Sequence, residues 1–381
     1  MSNVKEPSPP TKPANSEPFV DRWFHPRIWD GLDVGSWLSL LSRNRFAVHW
    51  SRASVALVVS IMAPCHTVLR WVQTIFWGKQ INRTEIKEQP LFILGHWRSG
   101  TTFLHELLVL DERHSFPTSY ECFAPHHFLL TEGIISRWFN WVMPKKRPMD
   151  NMAVGWDRPQ EDEFALCNIG LPSPYLTLAF PNRPPQYQEY LTFDDVPPED
   201  VARWQSGFRR FLTMVTCRNP KRMVLKSPPH TGRIRVLAEM FPDARFVHIV
   251  RDPYVLFQST MKMWKAMYDV QGLQPPKFEG LEEHVFETLN FMYAAFERDR
   301  HLIGPGRFCE VRYEDLVRDP VGQLRAIYDQ LELDGFEEAL PAFQEHLAGQ
   351  SDYQPNRHQM PAELKAKIAD RWADFIQRYG Y

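Results

Sequence analysis

The chain has 381 residues, 44% hydrophobic and 24% charged, a balance that suits a globular protein with a large core and excludes disorder throughout. Its formal net charge of -2 exerts no global pull on nucleic acid, so no nucleic-acid partner is expected and any basic site must be local. Five scattered cysteines (Cys65, Cys122, Cys167, Cys217, Cys309) show no C-x-x-C spacing, which indicates neither a disulfide framework nor a zinc site and fits a reducing, cytoplasmic compartment.

Residues 1–19 are rich in Pro and polar residues, lack the apolar stretch of a secretory signal, and read as a disordered tail. Residues 20–87 form a helical extension rich in Trp and Phe. It contains the apolar run from Ala53 to Cys65, which ends at Pro64-Cys65-His66 and falls short of the roughly 20 residues a membrane span requires. Arg43, Arg45 and Arg52 precede the run, Arg70 and Lys79 follow it, and Trp71, Phe76 and Trp77 recur at helical spacing. Three roles stay open: packing on the core, packing on a second subunit in a homodimer, or lying in the interface of the inner membrane as a peripheral helix.

The segment Pro90 to Leu110, PLFILGHWRSGTTFLHELLVL, changes period. Leu91 to Leu94 is a short apolar run suited to a buried parallel strand, and Phe103, Leu104, Leu107 and Leu108 then mark a helical stripe. A turn at GHWRSGTT leaves the first helical amides aimed at the loop with the positive end of the helix dipole behind them, which makes an anion cradle. The spacing Gly95-x4-Gly100 matches the start of a phosphate loop. Thr101, however, stands where that pattern needs Lys, which argues against a nucleoside triphosphatase. The cation sits within the loop, as Arg98. Taken alone, the turn leaves open a strand-to-helix connection without a ligand.

HWRSGTTFLHELL resembles the 5'-phosphosulfate-binding loop of sulfotransferases that use 3'-phosphoadenosine 5'-phosphosulfate (PAPS), in particular the bacterial branch related to tyrosylprotein sulfotransferases. The resemblance implies a three-layer α/β domain over residues 88–381 with a central parallel sheet. It also implies that Arg98, Ser99, Gly100, Thr101 and Thr102 wrap the 5'-phosphosulfate. In related families a Glu about two dozen positions after the loop Arg is the general base on the acceptor hydroxyl, and Glu121 stands there. By residue type alone Glu121 is a surface carboxylate or an ion-pair partner. The stretch around it, DERHSFPTSYECFAPHH, reads as a loop leaving the sheet edge.

Farther on, Glu161, Asp162 and Glu163 precede an apolar run, as acidic residues do in the first turn of a helix. PQEDEFAL also resembles a stretch of the bacterial branch, which leaves open a carboxylate lining the acceptor pocket. Residues 222–264 carry the pattern strand, helix, strand, helix: Met223 to Leu225, then Ile234 to Phe241, then Phe246 to Val250, then a helix capped by Asp252 with Pro253 at its first position. This unit predicts a parallel sheet with ligands at the carboxyl ends of its strands. Lys226, Arg251 and Gly95 close three of those strands.

Arg251 and Ser259 resemble the 3'-phosphate-binding pair of sulfotransferases, where an Arg fork supplies paired donors and a Ser hydroxyl a neutral one. LKSPPHT resembles the family's lysine-bearing strand end, which implies that Lys226 contacts the transferring group; its alternative is a sheet-edge lysine paired with a carboxylate. YEDLVRDP recurs in the family as scaffold, with Glu314 and Asp315 capping. In relatives a basic loop near the carboxyl terminus folds over the nucleotide, which points to Arg357 or His358. No internal repeat and no metal motif is present, and no metal is expected.

These resemblances imply in-line transfer of a sulfuryl group from PAPS to a hydroxyl, with Arg98 and Lys226 at the reacting centre and Glu121 taking the proton. The acceptor is a hydroxyl compound; the aromatic amino-terminal region hints at a lipid or another amphipathic alcohol, with glycans and peptidyl tyrosine left open. Two alternatives carry their own signatures. A phosphate-loop kinase or NTPase would bind ATP with Mg2+, and a non-catalytic membrane-associated nucleotide-binding protein would bind nucleotide without turnover.

Overall fold

Apolar strands just long enough to be covered on both faces set the architecture. The computed structural model describes residues 26–138, 155–349 and 360–381. Its strands are β1 (Leu91–Leu94), β2 (His114–Ser115), β3 (Arg222–Lys226), β4 (Arg245–Val250) and β5 (Phe308–Arg312), all parallel, in the order β2-β3-β1-β4-β5. Ile93 lies opposite Lys226 on one side and Val247 on the other, so the carboxyl ends of β3, β1 and β4 finish together. Alternate residues face two different cores. Phe92, Leu94, Leu225 and Phe246 enter one, and Leu91, Ile93, Val224 and Val247 the other. Burial on both faces explains why the strands read as unbroken apolar runs.

Before the sheet lie α1 (Val34–Arg43) and α2 (Ala53–Arg83). Between β1 and β3 come α3 (Thr101–Leu108), α4 (Ser119–Phe123), α5 (Phe128–Trp138), α6 (Asp162–Asn168) and α7 (Pro198–Arg218). Then follow α8 (Ile234–Met240), α9 (Pro253–Gln271), α10 (Leu281–Asp299), α11 (Tyr313–Arg318), α12 (Pro320–Gln330) and α13 (Phe336–Ala348), with α14 (Ala362–Arg371) and α15 (Ala373–Tyr379) last. The second core packs under α3, α11, α12 and α13, while the first takes in α6 to α10 and buried residues of α1 and α2. The result is a three-layer α/β fold with a helical amino-terminal region. β1 sits at the point where the chain crosses from one side of the sheet to the other, the crevice where such sheets bind ligands.

Two elements differ from the sequence reading. The stretch after α3, expected as a loop, contains the edge strand β2, paired with β3, and α4, closed by a capping box between Thr118 and Glu121. Short elements of this kind leave no periodicity to read. The apolar run expected to end at Pro64 continues as one helix of 31 residues, α2, about 46 Å long. Pro64 is exposed, and the missing hydrogen bond is tolerated because Val59, Ala63 and His66, on either side of it, are anchored in the interior. The expected tail over residues 1–19 lies outside the described residues.

Candidate active site

Backbone sterics shape the loop between β1 and α3. Gly95 has φ +149°, and a Cβ there would lie 2.6 Å from Ser99 Oγ and 2.7 Å from the Ile249 carbonyl. Gly100, the residue before α3, has φ +105°, and its Cβ would lie 2.3 Å from the Tyr313 ring. Only glycine fits either position. Arg98 also adopts a left-handed backbone, φ +70°, a strain of the kind concentrated at ligand clamps. The loop is stitched internally: Ser99 Oγ donates to the His96 carbonyl at 2.8 Å, and the Gly95 amide donates to Thr231 Oγ1 at 2.8 Å. No side chain caps the first turn of α3, so its amides face the loop as an anion cradle. Thr101 is buried beneath the turn and Thr102 half-buried at its edge.

The cations foreseen from distant parts of the sequence meet at this loop. Arg251, one residue past β4, donates from Nη1 to the Arg98 carbonyl at 2.9 Å and stacks over the Tyr313 ring at 4.1 Å. Arg98 donates from Nε to Ser259 Oγ at 3.0 Å. Ser259 is on α9, whose start is fixed by Asp252 accepting from the Tyr254 and Val255 amides. Glu314 in turn accepts from the Asp252 amide at 3.0 Å, so it braces the start of α9, while its own helix α11 has no side-chain cap. Arg98, Arg251 and Ser259 therefore form one half-buried cluster, and with the glycines and free first-turn amides its donors suit a polyanion with two phosphate-like ends.

Lys226, buried at the end of β3, donates to Glu161 Oε1 at 2.7 Å. The other carboxylate oxygen accepts the Tyr175 hydroxyl, which itself accepts from Trp97 Nε1 at 2.7 Å. Burial, then the adjacent Glu161, pushes the Tyr175 phenol well above its usual range, so it stays a donor. The next two acids hold this pair in place. Asp162 meets His230 Nε2 at 2.6 Å and accepts from Ser227 Oγ at 3.1 Å. Burial opposes its ionisation, but His230 and Ser227 outweigh that and keep its carboxyl below the usual range. Glu163 takes a two-pronged pair from Arg233 at 2.6 and 3.0 Å and a bond from Ser173 at 2.6 Å. Both are fully buried, whereas the Glu161 side chain keeps 15% exposure.

Glu121, expected to receive the acceptor proton, is completely buried. Its Oε2 accepts the Thr118 amide at 2.7 Å, and Arg218 Nε stands 2.8 Å from Oε1. Burial pushes its carboxyl up to about 7, against the pull of Arg218. A protonatable group of that kind suits a general base in pKa, but geometry comes first, and the carboxylate beside Lys226 is Glu161. The sequence singled out the acidic triplet without ranking its members. Tyr175 and Tyr313 carried no signal of a site. Arg357 and His358 lie outside the described residues.

Comparison with known proteins finds sulfotransferases in both sequence and fold. The sequence profile of the sulfotransferase family matches residues 90–338. The chain is 46% identical over 372 residues to the omega-hydroxy-beta-dihydromenaquinone-9 sulfotransferase Stf3 of Mycobacterium bovis and of Mycobacterium tuberculosis, covering 97% of this chain and 96% of theirs. Among solved structures, sulfotransferase STF9 from Mycobacterium avium superposes with a TM-score of 0.69 at 20% identity, over 91% of this chain and 92% of its own. Sulfotransferase STF1 from Mycobacterium tuberculosis does so with a TM-score of 0.54 at 18% identity, over 90% and 91%.

Proposed function

Because this chain belongs to the sulfotransferase family and moves a sulfuryl group from PAPS to a hydroxyl, we propose that its acceptor is the terminal hydroxyl of a prenylated quinol or a similar amphipathic lipid, with Glu161 as the base. The carrying observation is the row of rings that leads away from Glu161. Trp97 meets Tyr175 at 5.9 Å, Tyr175 meets Phe164 at 5.4 Å, and Phe164 meets Phe123 at 6.1 Å, with Phe123 and Phe164 only half-buried. A polar reacting end beside an aromatic wall suits a hydroxyl on an apolar chain. The relative with 46% identity is named for a hydroxylated menaquinone, a compound of that class.

When bound, PAPS supplies the sulfuryl group and departs as adenosine 3',5'-bisphosphate. The 3'-phosphate end falls to Arg251 and Ser259. Arg98, Ser99, Gly100, Thr101 and Thr102 hold the 5'-phosphosulfate with the first amides of α3. Charge that builds on the leaving oxygens is met by Arg98 and Lys226, which act where donors are fixed in advance of the reaction. Glu161 takes the hydroxyl proton as the new O–S bond forms. In the ligand-free chain Lys226 and Tyr175 hold its carboxylate ready; a carboxylate has about four acceptor positions, so room remains for the acceptor hydroxyl.

Residues 88–381 make up the catalytic unit in this reading and residues 20–87 an accessory region. In this reading the chain works in the cytoplasm, at the inner face of the membrane. The test is sulfation by the purified chain of three acceptors: a prenylquinol with a terminal hydroxyl, a short phenol and N-acetylglucosamine, with product followed by mass spectrometry. The expected result is kcat/KM at least about tenfold higher for the prenylquinol, on the order of the discrimination a few buried methylenes supply. Equal or better turnover of the sugar or the phenol would overturn the acceptor assignment.

A further inference from the structure

Among the described residues, ten of the thirteen exposed large hydrophobic side chains fall between Leu38 and Phe76. Their placement is ordered. Leu57, Ile61, Val68, Trp71 and Ile75 recur along one side of α2, while Val59, Ala63, His66 and Gln73 on the other side are buried. Trp50, 82% exposed, and Phe46 extend the surface ahead of the helix. Scattered apolar residues need no explanation, but a contiguous patch marks a contact surface.

Charge identifies the partner. Between Val34 and Thr84 there are six Arg and Lys residues and no Asp or Glu; Arg70 and Arg52 are paired with Asp33 and Asp269, which leaves Arg43, Arg45, Lys79 and Arg83 outside those pairs. Arg45 stands at one end of the apolar side, and Lys79 and Arg83 at the other, all exposed. We propose that this face of α2, with Phe46 and Trp50, seats the protein on an anionic lipid bilayer, the helix lying in the plane of the interface. A second copy fits less well, because a symmetric contact between two such faces sets cation against cation.

A span is opposed by the way α2 is held. Gln73 Nε2 donates to the His126 carbonyl at 3.0 Å, His66 Nδ1 lies 2.7 Å from His127 Nε2, and Trp37 Nε1 donates to Ser60 Oγ at 2.9 Å. Withdrawing the helix into a bilayer would strand these polar groups in hydrocarbon. The proposal rests on this surface and not on the choice of acceptor.

The full chain would be floated with vesicles of phosphatidylglycerol and phosphatidylcholine, or of phosphatidylcholine alone, and compared with two variants, I75S/F76S and R45E/K79E. Circular dichroism melting checks that both fold, and light scattering reports the oligomeric state. The expected result is flotation with anionic vesicles, at least tenfold weaker binding to neutral vesicles and in each variant, release by alkaline carbonate, and a monomer without lipid. No flotation of a folded wild type overturns the proposal. So does resistance to carbonate, which would indicate a span, or a wild-type dimer dissolved by I75S/F76S, which would make a second copy the occupant.

Discussion

Glu161 keeps part of its carboxylate open beside Lys226, whereas Glu121 is shut inside a capping box with Arg218 against it. Both stand at the start of a short helix, so position on an element does not separate them; surroundings do. A positioned base contributes about 100- to 10,000-fold. Glu161→Gln should therefore lower kcat by at least about 100-fold while affinity for adenosine 3',5'-bisphosphate, measured by calorimetry, stays unchanged. Glu121→Gln keeps an acceptor for the Thr118 amide and should leave kcat within a few-fold. The reverse ranking of the two variants would return the base to Glu121. The acidic triplet could be seen in the sequence, but Asp162 and Glu163 were separable from Glu161 only once His230 and Arg233 had been folded against them.

The attachment of α2 depends on histidines that stay neutral. His66 stacks on His127 with ring centroids 5.0 Å apart and an interplanar angle of 12°, and His127 Nδ1 continues the chain to Thr131 at 2.8 Å. Burial pushes His127 down to about 3 and His126 to about 4, and lowers His66 as well. In each case the folded pKa lies below the unfolded one, so between these values the unfolded chain binds more protons. The stability these groups contribute is complete above about pH 6.5 and is lost as pH falls below it, with a slope of up to about 1.4 kcal/mol per pH unit per histidine. Acidification from pH 7 to 5 should thus loosen α2 first. Amide exchange in residues 53–83 should accelerate more than in β1 or β4; a uniform change across the chain would count against a local role. Helical spacing in α2 could be read from the sequence. Which side of it was covered could not.

The donors proposed for the nucleotide come from the loop after β1, the end of β3, the residue after β4 and α9, with the Tyr313 ring beneath Arg251. A ligand held by so many elements should stabilise the fold as a whole. Adenosine 3',5'-bisphosphate at 100 times its Kd should add about 2.7 kcal/mol to the stability of the wild type, and Arg251→Ala should lose most of that gain. Retention of the full thermal shift in Arg251→Ala would remove this residue from the nucleotide site. ATP with Mg2+ serves as the control and should give no comparable shift.

By itself the sequence determined the parallel sheet, the anion loop with Arg98 inside it, and the convergence of Gly95, Lys226 and Arg251 on one edge, whereas Ser259 was named by family resemblance. The first three follow from local period, glycine spacing and the rule that parallel strands present their carboxyl ends together. Tertiary structure alone decided that Glu161 meets Lys226 across 65 residues of chain, that Tyr175 and Tyr313 join the site, and that one side of α2 stays uncovered. The physical reason is the same in all three. A side chain's solvation and its partner depend on which distant surface packs against it, and nothing in its sequence neighbours records that surface.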